Sequence, residues 1–221
     1  MTWLDLPHDH PYGIHNLPYG VFSTDGSGPR VGVRVGDHVL DVGACAEQAG
    51  MESAAVWRAA SLNPFLAQGR PAWTAAREWL TEQLTNEAHR DCVEAHLVPV
   101  SETTMHLPIE VADYVDFYAS EHHATNVGRL FRPDAEPLTP NWKHLPIGYH
   151  GRSGTVVVSG TDIVRPCGQR KPPTEPVPVF GPSARLDIEA ELGFVVGGAT
   201  HLGEPVALAD AGEHPFGVVI L

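Results

Sequence analysis

Lysine is scarce in this sequence, and acidic residues outnumber basic ones. Lys143 and Lys171 are the two lysines, and 14 basic against 27 acidic residues give a formal net charge of −13. Proteins that bind nucleic acid need a basic surface that neutralises phosphates, and anionic membrane surfaces attract the same positive charge. The composition therefore argues against a nucleic-acid-binding or membrane-binding protein.

Cysteine is also rare, and long apolar runs are missing. The three cysteines, Cys45, Cys92 and Cys167, are far apart in sequence, so they predict neither a C-x-x-C pair nor a disulfide framework. No apolar run approaches the length of a membrane span, and residues 1–5 lack the basic and apolar regions of a signal peptide. These absences predict a soluble, cytoplasmic protein.

The signature motifs of several large enzyme classes are missing too. No G-x-G-x-x-G follows a strand pattern, and the sequence has no Walker loop, no G-x-S-x-G and no H-E-x-x-H. Nucleotide enzymes, serine hydrolases and zinc proteases are therefore disfavoured.

Glycine, proline and histidine are plentiful instead. The 22 glycines and 20 prolines argue against a helical bundle, because both residues break helices. The apolar fraction of 43% is enough for a folded core, which excludes a disordered acidic chain. Thirteen histidines are compatible with a metal or acid–base site, although most are expected on the surface.

The pattern of the sequence changes along the chain. Within residues 21–42, short segments with the apolar–polar alternation of strands are separated by glycine-containing turn sequences at 25–28 and 36–37. This pattern predicts a small β-meander. Pro71 begins a helical pattern whose apolar residues form one stripe of core packing: Trp73, Ala76, Leu80 and Leu84. Residues 98–108 have the texture of a connector, and residues 155–221 return to β character. A domain boundary is therefore expected near residues 100–112.

Residues 186–192, with the sequence LDIEAEL, alternate apolar and acidic side chains. Period-two alternation predicts a half-buried strand that presents Asp187, Glu189 and Glu191 on one face. Side chains two residues apart lie about 6.5–7 Å apart, so two glutamates can close on one hard divalent cation. The alternative is the solvated polar face of an edge strand, which the pattern alone favours.

Residues 113–118 mix carboxylates with phenols. Asp116 could supply a further metal ligand, and Tyr118 could donate a hydrogen bond in a pocket. A loop with half-buried aromatic residues explains the same pattern equally well, so both interpretations stay open.

A helix is predicted just after these residues. Ser120 is placed as its N-cap, and His123, Val127 and Leu130 share one face. Histidine on a buried stripe suits a general base that takes a proton from water. A core histidine with a satisfied ring nitrogen is the structural alternative.

Residues 140–152 combine glycine, proline and aromatic residues, which predicts an ordered loop that forms a pocket wall. Arg132 precedes this loop and could hold a substrate carboxylate through two parallel hydrogen bonds. The alternative is a surface ion pair, which contributes little.

These segments together resemble the fumarylacetoacetate hydrolase family. The likeness keeps one order from the N-terminus to Leu221 and rests on residues 14–23, 104–108, 113–128, 140–152, 156–160 and 186–191. It implies a mainly β or α+β fold, with an N-terminal SH3-like barrel domain over residues 1–108. The first part of a mixed β-roll catalytic domain would then occupy residues 109–221.

The resemblance also implies a reaction and its residues. It implies a hydrolase that uses Ca²⁺ or Mg²⁺ to cleave a carbon–carbon bond of fumarylacetoacetate, a small β-diketone acid, in tyrosine and phenylalanine breakdown. The implied metal ligands are Asp116, Glu189 and Glu191, and His123 is the implied base. Tyr118, Arg132 and Tyr149 would line the substrate pocket, and the complete enzyme would be a homodimer.

Two alternatives accompany this expectation. One is a related fumarylpyruvate-type hydrolase or an isomerase of dioic keto acids. The other is a catalytically incomplete half that only pairs with another chain. The second follows from length, because the family continues past the position of Leu221 with a further metal-binding aspartate, a catalytic lysine, a glutamate that orients the histidine, and an arginine and a glutamine of the oxyanion region. The apolar run at residues 218–221 also reads as a buried strand that is cut short.

Overall fold

The fold comes from a computed structural model that describes residues 3–52 and 54–221. The chain is a mixed α and β structure with a curled antiparallel sheet, which confirms the coarse fold class. Contacts divide it into two compact units, one made of residues up to 110 together with 158–221, and one made of residues 111–157. The SH3-like barrel, the β-roll and the domain boundary stay predictions. Met1 and Thr2, which belong to the N-terminal segment predicted to lack a signal peptide, lie outside the described residues.

A five-stranded antiparallel sheet organises the first unit. Its strands, in the spatial order β4-β3-β2-β1-β5, are β1 (Tyr19–Ser23), β2 (Arg30–Val35), β3 (His38–Asp41), β4 (Leu97–Pro99) and β5 (Thr104–His106). The predicted β-meander is confirmed, with Tyr19 opposite Val33 and Gly32 opposite Asp41. Gly36, between β2 and β3, has a φ of 55°, which glycine adopts without a Cβ clash.

Helices follow the third strand and precede the fourth. They are α1 (Val42–Gln48), α2 (Ala54–Trp57), α3 (Asn63–Leu66), α4 (Arg70–Thr85) and α5 (Arg90–Glu94), with a short 3₁₀ turn at Glu87–His89. Another 3₁₀ turn, Val100–Glu102, lies between β4 and β5. The apolar stripe predicted for α4 is confirmed, because all four of its residues are buried. Asp41 caps α1 by accepting a hydrogen bond from the Ala44 amide at 2.9 Å, and it also accepts one from Arg30 Nε at 2.5 Å.

The core of the first unit lies between the sheet and these helices. Each fully buried aliphatic or aromatic side chain stabilises the fold by about 1.5–3 kcal/mol relative to an exposed one. The largest fully buried members are Phe65, Leu17, Leu40, Leu80 and Leu84. Trp73 links α4 to α3 within this core, because its indole N–H donates a hydrogen bond to the Phe65 carbonyl at 3.1 Å.

The second unit, residues 111–157, is small and has few regular elements. These are β6 (Val115–Phe117), α6 (Glu121–Phe131), β7 (Gly148–His150) and a 3₁₀ turn at Ser153–Thr155. β6 and β7 pair as a two-stranded antiparallel ribbon. A two-stranded ribbon is marginal by itself, so its geometry depends on the surrounding contacts.

The remaining strands belong to the first unit. They form two antiparallel pairs, β8 (Cys167–Arg170) with β9 (Val179–Pro182), and β10 (Leu192–Val196) with β11 (Pro215–Ile220); a 3₁₀ turn covers Ala211–Glu213. Phe216 on β11 packs against Trp73 with ring centroids 5.2 Å apart and against Tyr19 at 5.5 Å. The β10–β11 pair is therefore joined to the aromatic part of the core.

Candidate functional site

Asp116 and Tyr149 lie directly opposite each other on β6 and β7. Directly opposed residues of an antiparallel pair place their side chains on the same face, about 4.5–5.5 Å apart at Cβ. Asp116 is half-buried, whereas Tyr149 is 60% exposed. The ribbon therefore presents one predicted metal ligand beside one predicted pocket residue.

Tyr118 and His123 form a second pair in this unit. Their rings meet edge to face, with centroids 5.9 Å apart and planes at 85°. The Tyr118 hydroxyl donates to the Ala124 carbonyl at 3.1 Å, which fixes the phenol against the first turn of α6. Ser120 is the N-cap of α6, as predicted, and accepts a hydrogen bond from the His123 amide at 3.3 Å.

The buried face of α6 is not the one that the sequence predicted. His123 and Leu130 are exposed, and the buried positions are Ala124 and Gly128. A Cβ on Gly128 would lie 2.0 Å from the Pro137 carbonyl oxygen, so the chain after the helix crosses it at this glycine. The prediction of His123 on a buried stripe is therefore wrong, because small residues set the contact face. Its role as a base stays a prediction.

The loop of residues 140–152 is tied to the segment that carries Tyr118. Trp142 Nε1 donates to the Tyr118 carbonyl at 3.0 Å, and the Tyr118 amide donates to the Ile147 carbonyl at 2.9 Å. Lys143 Nζ lies 2.8 Å from a carboxylate oxygen of Glu121, in the first turn of α6. These contacts hold the loop beside Tyr118, and its role as a pocket wall stays a prediction.

Arg132 ends α6 as its C-cap residue. Its Nη2 donates to the Pro137 carbonyl at 2.7 Å, so part of the guanidinium supports the turn after the helix. Arg132 is exposed. Its role in holding a carboxylate stays a prediction.

Asp113 and His150 form a contact that the sequence did not predict. His150 Nε2 hydrogen-bonds to Asp113 Oδ1, next to the Tyr114 amide that donates to the same oxygen at 2.8 Å. The Tyr114 amide, and then His150, hold the pKa of the Asp113 carboxyl below its usual value. The pairing of β6 with β7 brings these residues together, and the sequence alone does not reveal a contact between residues 37 positions apart.

Glu189 and Glu191 lie in the other compact unit, just before β10. The strand predicted over residues 186–192 is wrong: it begins at Leu192, and Ile188 is 93% exposed. Glu191 exchanges backbone hydrogen bonds with Leu221 at 2.9 and 3.0 Å, which extends the ladder by one residue. Among the described residues, no strand pairs with 186–190, so the alternation there buries no face.

The three predicted carboxylates supply only oxygen donors, which is the chemistry that Ca²⁺ and Mg²⁺ prefer. Within residues 3–52 and 54–221, no three His, Cys, Asp or Glu side chains are gathered so that they could hold a metal. The donor set therefore fits a hard cation by its chemistry, and the assembled ligand set stays a prediction.

A cavity of about 620 Å³ lies in the first unit, and its lining residues include none of the seven predicted site residues. Its lining includes Tyr19, Arg70, Arg77 and Phe216. Arg77 donates to the carbonyls of Asn16 and His15 at 2.5 and 2.9 Å, and Arg70 donates to the Pro215 carbonyl at 2.8 Å. Burial raises the pKa of Tyr19 to about 12, so its hydroxyl stays protonated. Both arginines thus support chain turns.

No helix of the described residues has the length and apolar character that a bilayer crossing requires.

Two family models match this chain in succession. The model described as Fumarylacetoacetase N-terminal matches residues 15–108, and the one described as Fumarylacetoacetate (FAA) hydrolase C-terminal matches residues 113–221. Fumarylacetoacetases of Bos taurus and Homo sapiens are each 44% identical to the chain over its full length. The fumarylacetoacetase of Oryza sativa subsp. japonica is 45% identical over 97% of it.

The matched region is about half of each relative. The chain covers 55% of the bovine and human proteins and 53% of the rice protein. Two consecutive family models and similarity along the whole chain at this identity lead to one assignment. The chain belongs to the fumarylacetoacetase family.

Proposed function

We propose that this chain provides catalytic and substrate-binding residues of a hydrolase that splits 4-fumarylacetoacetate into fumarate and acetoacetate. The observation that carries the proposal is the 44% identity, over the whole chain, to proteins named fumarylacetoacetase. In this proposal, the reaction is the last step of tyrosine and phenylalanine breakdown. The tyrosine–histidine contact at the start of α6 supports a site in residues 111–157.

The reaction adds one water molecule across a carbon–carbon bond. His123 takes a proton from water, and the hydroxide adds to the ketone carbonyl carbon of the fumaryl group, which becomes the new carboxylate of fumarate. The carbon–carbon bond then breaks, its electron pair leaves on the acetoacetate carbon as an enolate, and that carbon is protonated. Preorganised hydrogen-bond donors around the tetrahedral oxyanion lower the activation free energy of the addition step.

In this proposal, individual residues have separate roles in the reaction. Tyr118, whose hydroxyl is bonded to the Ala124 carbonyl, holds its ring edge against His123 and so orients the imidazole. Arg132 pairs with a substrate carboxylate, for which a guanidinium has the matching planar geometry. Tyr149, 60% exposed opposite Asp116, lines the entrance for the substrate.

Asp116, Glu189 and Glu191 would hold the divalent cation, Ca²⁺ or Mg²⁺, through carboxylate oxygens. When bound, such a cation acts as a Lewis acid that stabilises negative charge on diketone oxygens. The proposal also includes the SH3-like barrel over residues 1–108, the β-roll over 109–221, a homodimer and a cytoplasmic location. The family resemblance supports these four parts.

The test uses a polypeptide of the family's full length that contains these 221 residues. Fumarate release from 4-fumarylacetoacetate is measured chromatographically in the presence of Ca²⁺ or Mg²⁺. His123→Ala should lower turnover by at least about 10²-fold, the typical contribution of a general base. Metal affinity, measured by calorimetry, should be unchanged. His122→Ala, on the same helix turn, is the matched control and should keep near-parental turnover.

Other outcomes would select an alternative. Near-parental turnover of His123→Ala would remove the base from its role. Hydrolysis of fumarylpyruvate, or isomerisation of a dioic keto acid, without cleavage of fumarylacetoacetate would favour the related enzymes. A protein inactive on all three substrates would favour an assembly half.

A further inference from the structure

Two cysteines that are distant in sequence come into contact in the first unit. Cys45 lies on α1 and Cys92 on α5, and their sulfur atoms are 4.0 Å apart. Both cysteines are free thiols, and their separation of 47 residues gave no sign of this contact. Cys167 is exposed on β8.

The two thiols differ in access to solvent. Cys45 is fully buried, and Cys92 is half-buried. Burial, and then the neighbouring Cys92, raise the pKa of the Cys45 thiol to about 12. Because Cys92 is the more exposed of the two residues, we expect a solute oxidant to reach it before Cys45.

We propose that Cys45 and Cys92 form an oxidation site that reacts with a hydroperoxide and closes to a reversible intrachain disulfide. The Cys92 thiolate attacks the peroxide, which breaks its O–O bond, gives a sulfenic acid and releases an alcohol or water. The Cys45 thiol then attacks the sulfenic sulfur, forms the S–S bond and releases water. Two thiols are oxidised by two electrons, and one hydroperoxide is reduced.

Formation of the disulfide needs only a small movement, because the two sulfur atoms are already 4.0 Å apart. An S–S bond is about 2.05 Å long, so the sulfurs must approach by about 2 Å. Cys92 sits in the middle of a five-residue helix that follows a 3₁₀ turn, so one short element can supply the movement.

The bond would enclose α2, α3 and α4 in one loop of the chain. A cross-link of this kind stabilises mainly by restricting the unfolded chain. We therefore expect oxidation to raise the unfolding midpoint by several degrees, and a thiol reductant to restore the original value. Disulfides in reducing compartments are usually transient and responsive to oxidants.

The experiment treats the 221-residue chain with hydrogen peroxide and maps its peptides by mass spectrometry without reduction. The expected product is a linked pair of peptides containing Cys45 and Cys92, lighter by two hydrogen atoms and separated by reductant. Cys167→Ser is the matched control and should form the same link at the same rate. Cys45→Ala should leave a sulfenic acid at Cys92 that dimedone traps.

The peptide map of the oxidised parent chain tests the proposal by itself, so the test does not depend on whether the variants fold. Recovery of Cys92 as sulfinic acid with no link to Cys45 would overturn the proposal. Links that involve only Cys167, or no reaction at Cys92, would overturn it as well. A link whose reduction leaves the unfolding midpoint unchanged would contradict the stabilising role.

Discussion

The chain up to residue 110 and residues 111–157 differ in how much apolar side chain they bury. Among residues 3–52 and 54–221, 22 apolar side chains are buried, and 21 of them lie between Leu17 and Val93. The remaining one is Ala124, in the unit that carries five of the seven predicted site residues. Apolar packing therefore determines the geometry of the chain up to residue 110. A small number of polar contacts determines the geometry of residues 111–157.

This difference has a physical consequence for function. Packing is collective, so a core tolerates small shifts but loses much stability when a large side chain is removed. In residues 111–157, single hydrogen bonds such as those of Trp142 and Tyr118 fix the loop beside the candidate base. Their loss should move site residues while leaving the stability of the first unit nearly unchanged.

The largest expected effect is the removal of a core aromatic ring. Phe65 is 1% exposed and packs against Trp57 with ring centroids 4.4 Å apart. Phe65→Ala should lower the free energy of unfolding by about 3–5 kcal/mol, through lost burial and the cavity that remains. Urea unfolding followed by tryptophan fluorescence measures this change.

Phe131→Ala is the matched control in residues 111–157. Phe131 is 73% exposed, so its truncation should change the free energy of unfolding by about 0.5 kcal/mol or less. Equal effects of the two truncations would break the comparison between the packed region and the polar one.

A smaller effect is expected where α6 meets the chain that crosses it. A Cβ at Gly128 would lie 2.0 Å from the Pro137 carbonyl oxygen, so Gly128→Ala must displace backbone. Overpacking of this kind costs about 1–3 kcal/mol. We expect faster amide hydrogen exchange across residues 111–157 and little change in β1–β5.

Gly154→Ala supplies the control for this substitution. No atom lies within 4 Å of a Cβ at Gly154, in the same compact unit. Its exchange pattern should match that of the parent chain. A parental pattern in Gly128→Ala would show that the crossing does not constrain the helix.

Local patterns in the sequence predicted the elements that local interactions determine. The turn signals around β1–β3, the stripe on α4 and the N-cap of α6 all depend on neighbours within a few residues. The strand over 186–190 failed because a strand also needs a partner. The predicted buried face of α6 was wrong because the chain at Pro137 approaches the helix most closely at Gly128, which has no side chain.

The contact of Cys45 with Cys92 depends on how α1 and α5 pack, which the spacing of the two cysteines in the sequence does not encode.

The smallest expected effect concerns the exposed pair at the ends of β6 and β7. The pKa of Asp113 lies below 3.8, its ordinary value, mainly because the Tyr114 amide donates to it and secondly because of His150. A lowered pKa means that the stabilisation is present above pH 3.8 and is lost as the pH falls through the folded-state pKa. His150→Gln should therefore raise this pKa while leaving it below 3.8, since the Tyr114 hydrogen bond persists.

Carbon-detected NMR titration of the Asp113 carboxyl group measures this shift directly. His144→Gln changes another exposed histidine of the same loop and should leave the titration of Asp113 as it is. If His150→Gln also left it unchanged, the link between β6 and β7 at Asp113 would be wrong. The local geometry would then depend on the backbone ladder alone. A shift without a loss of global stability would instead show that a polar contact can order residues 111–157 without adding to the core.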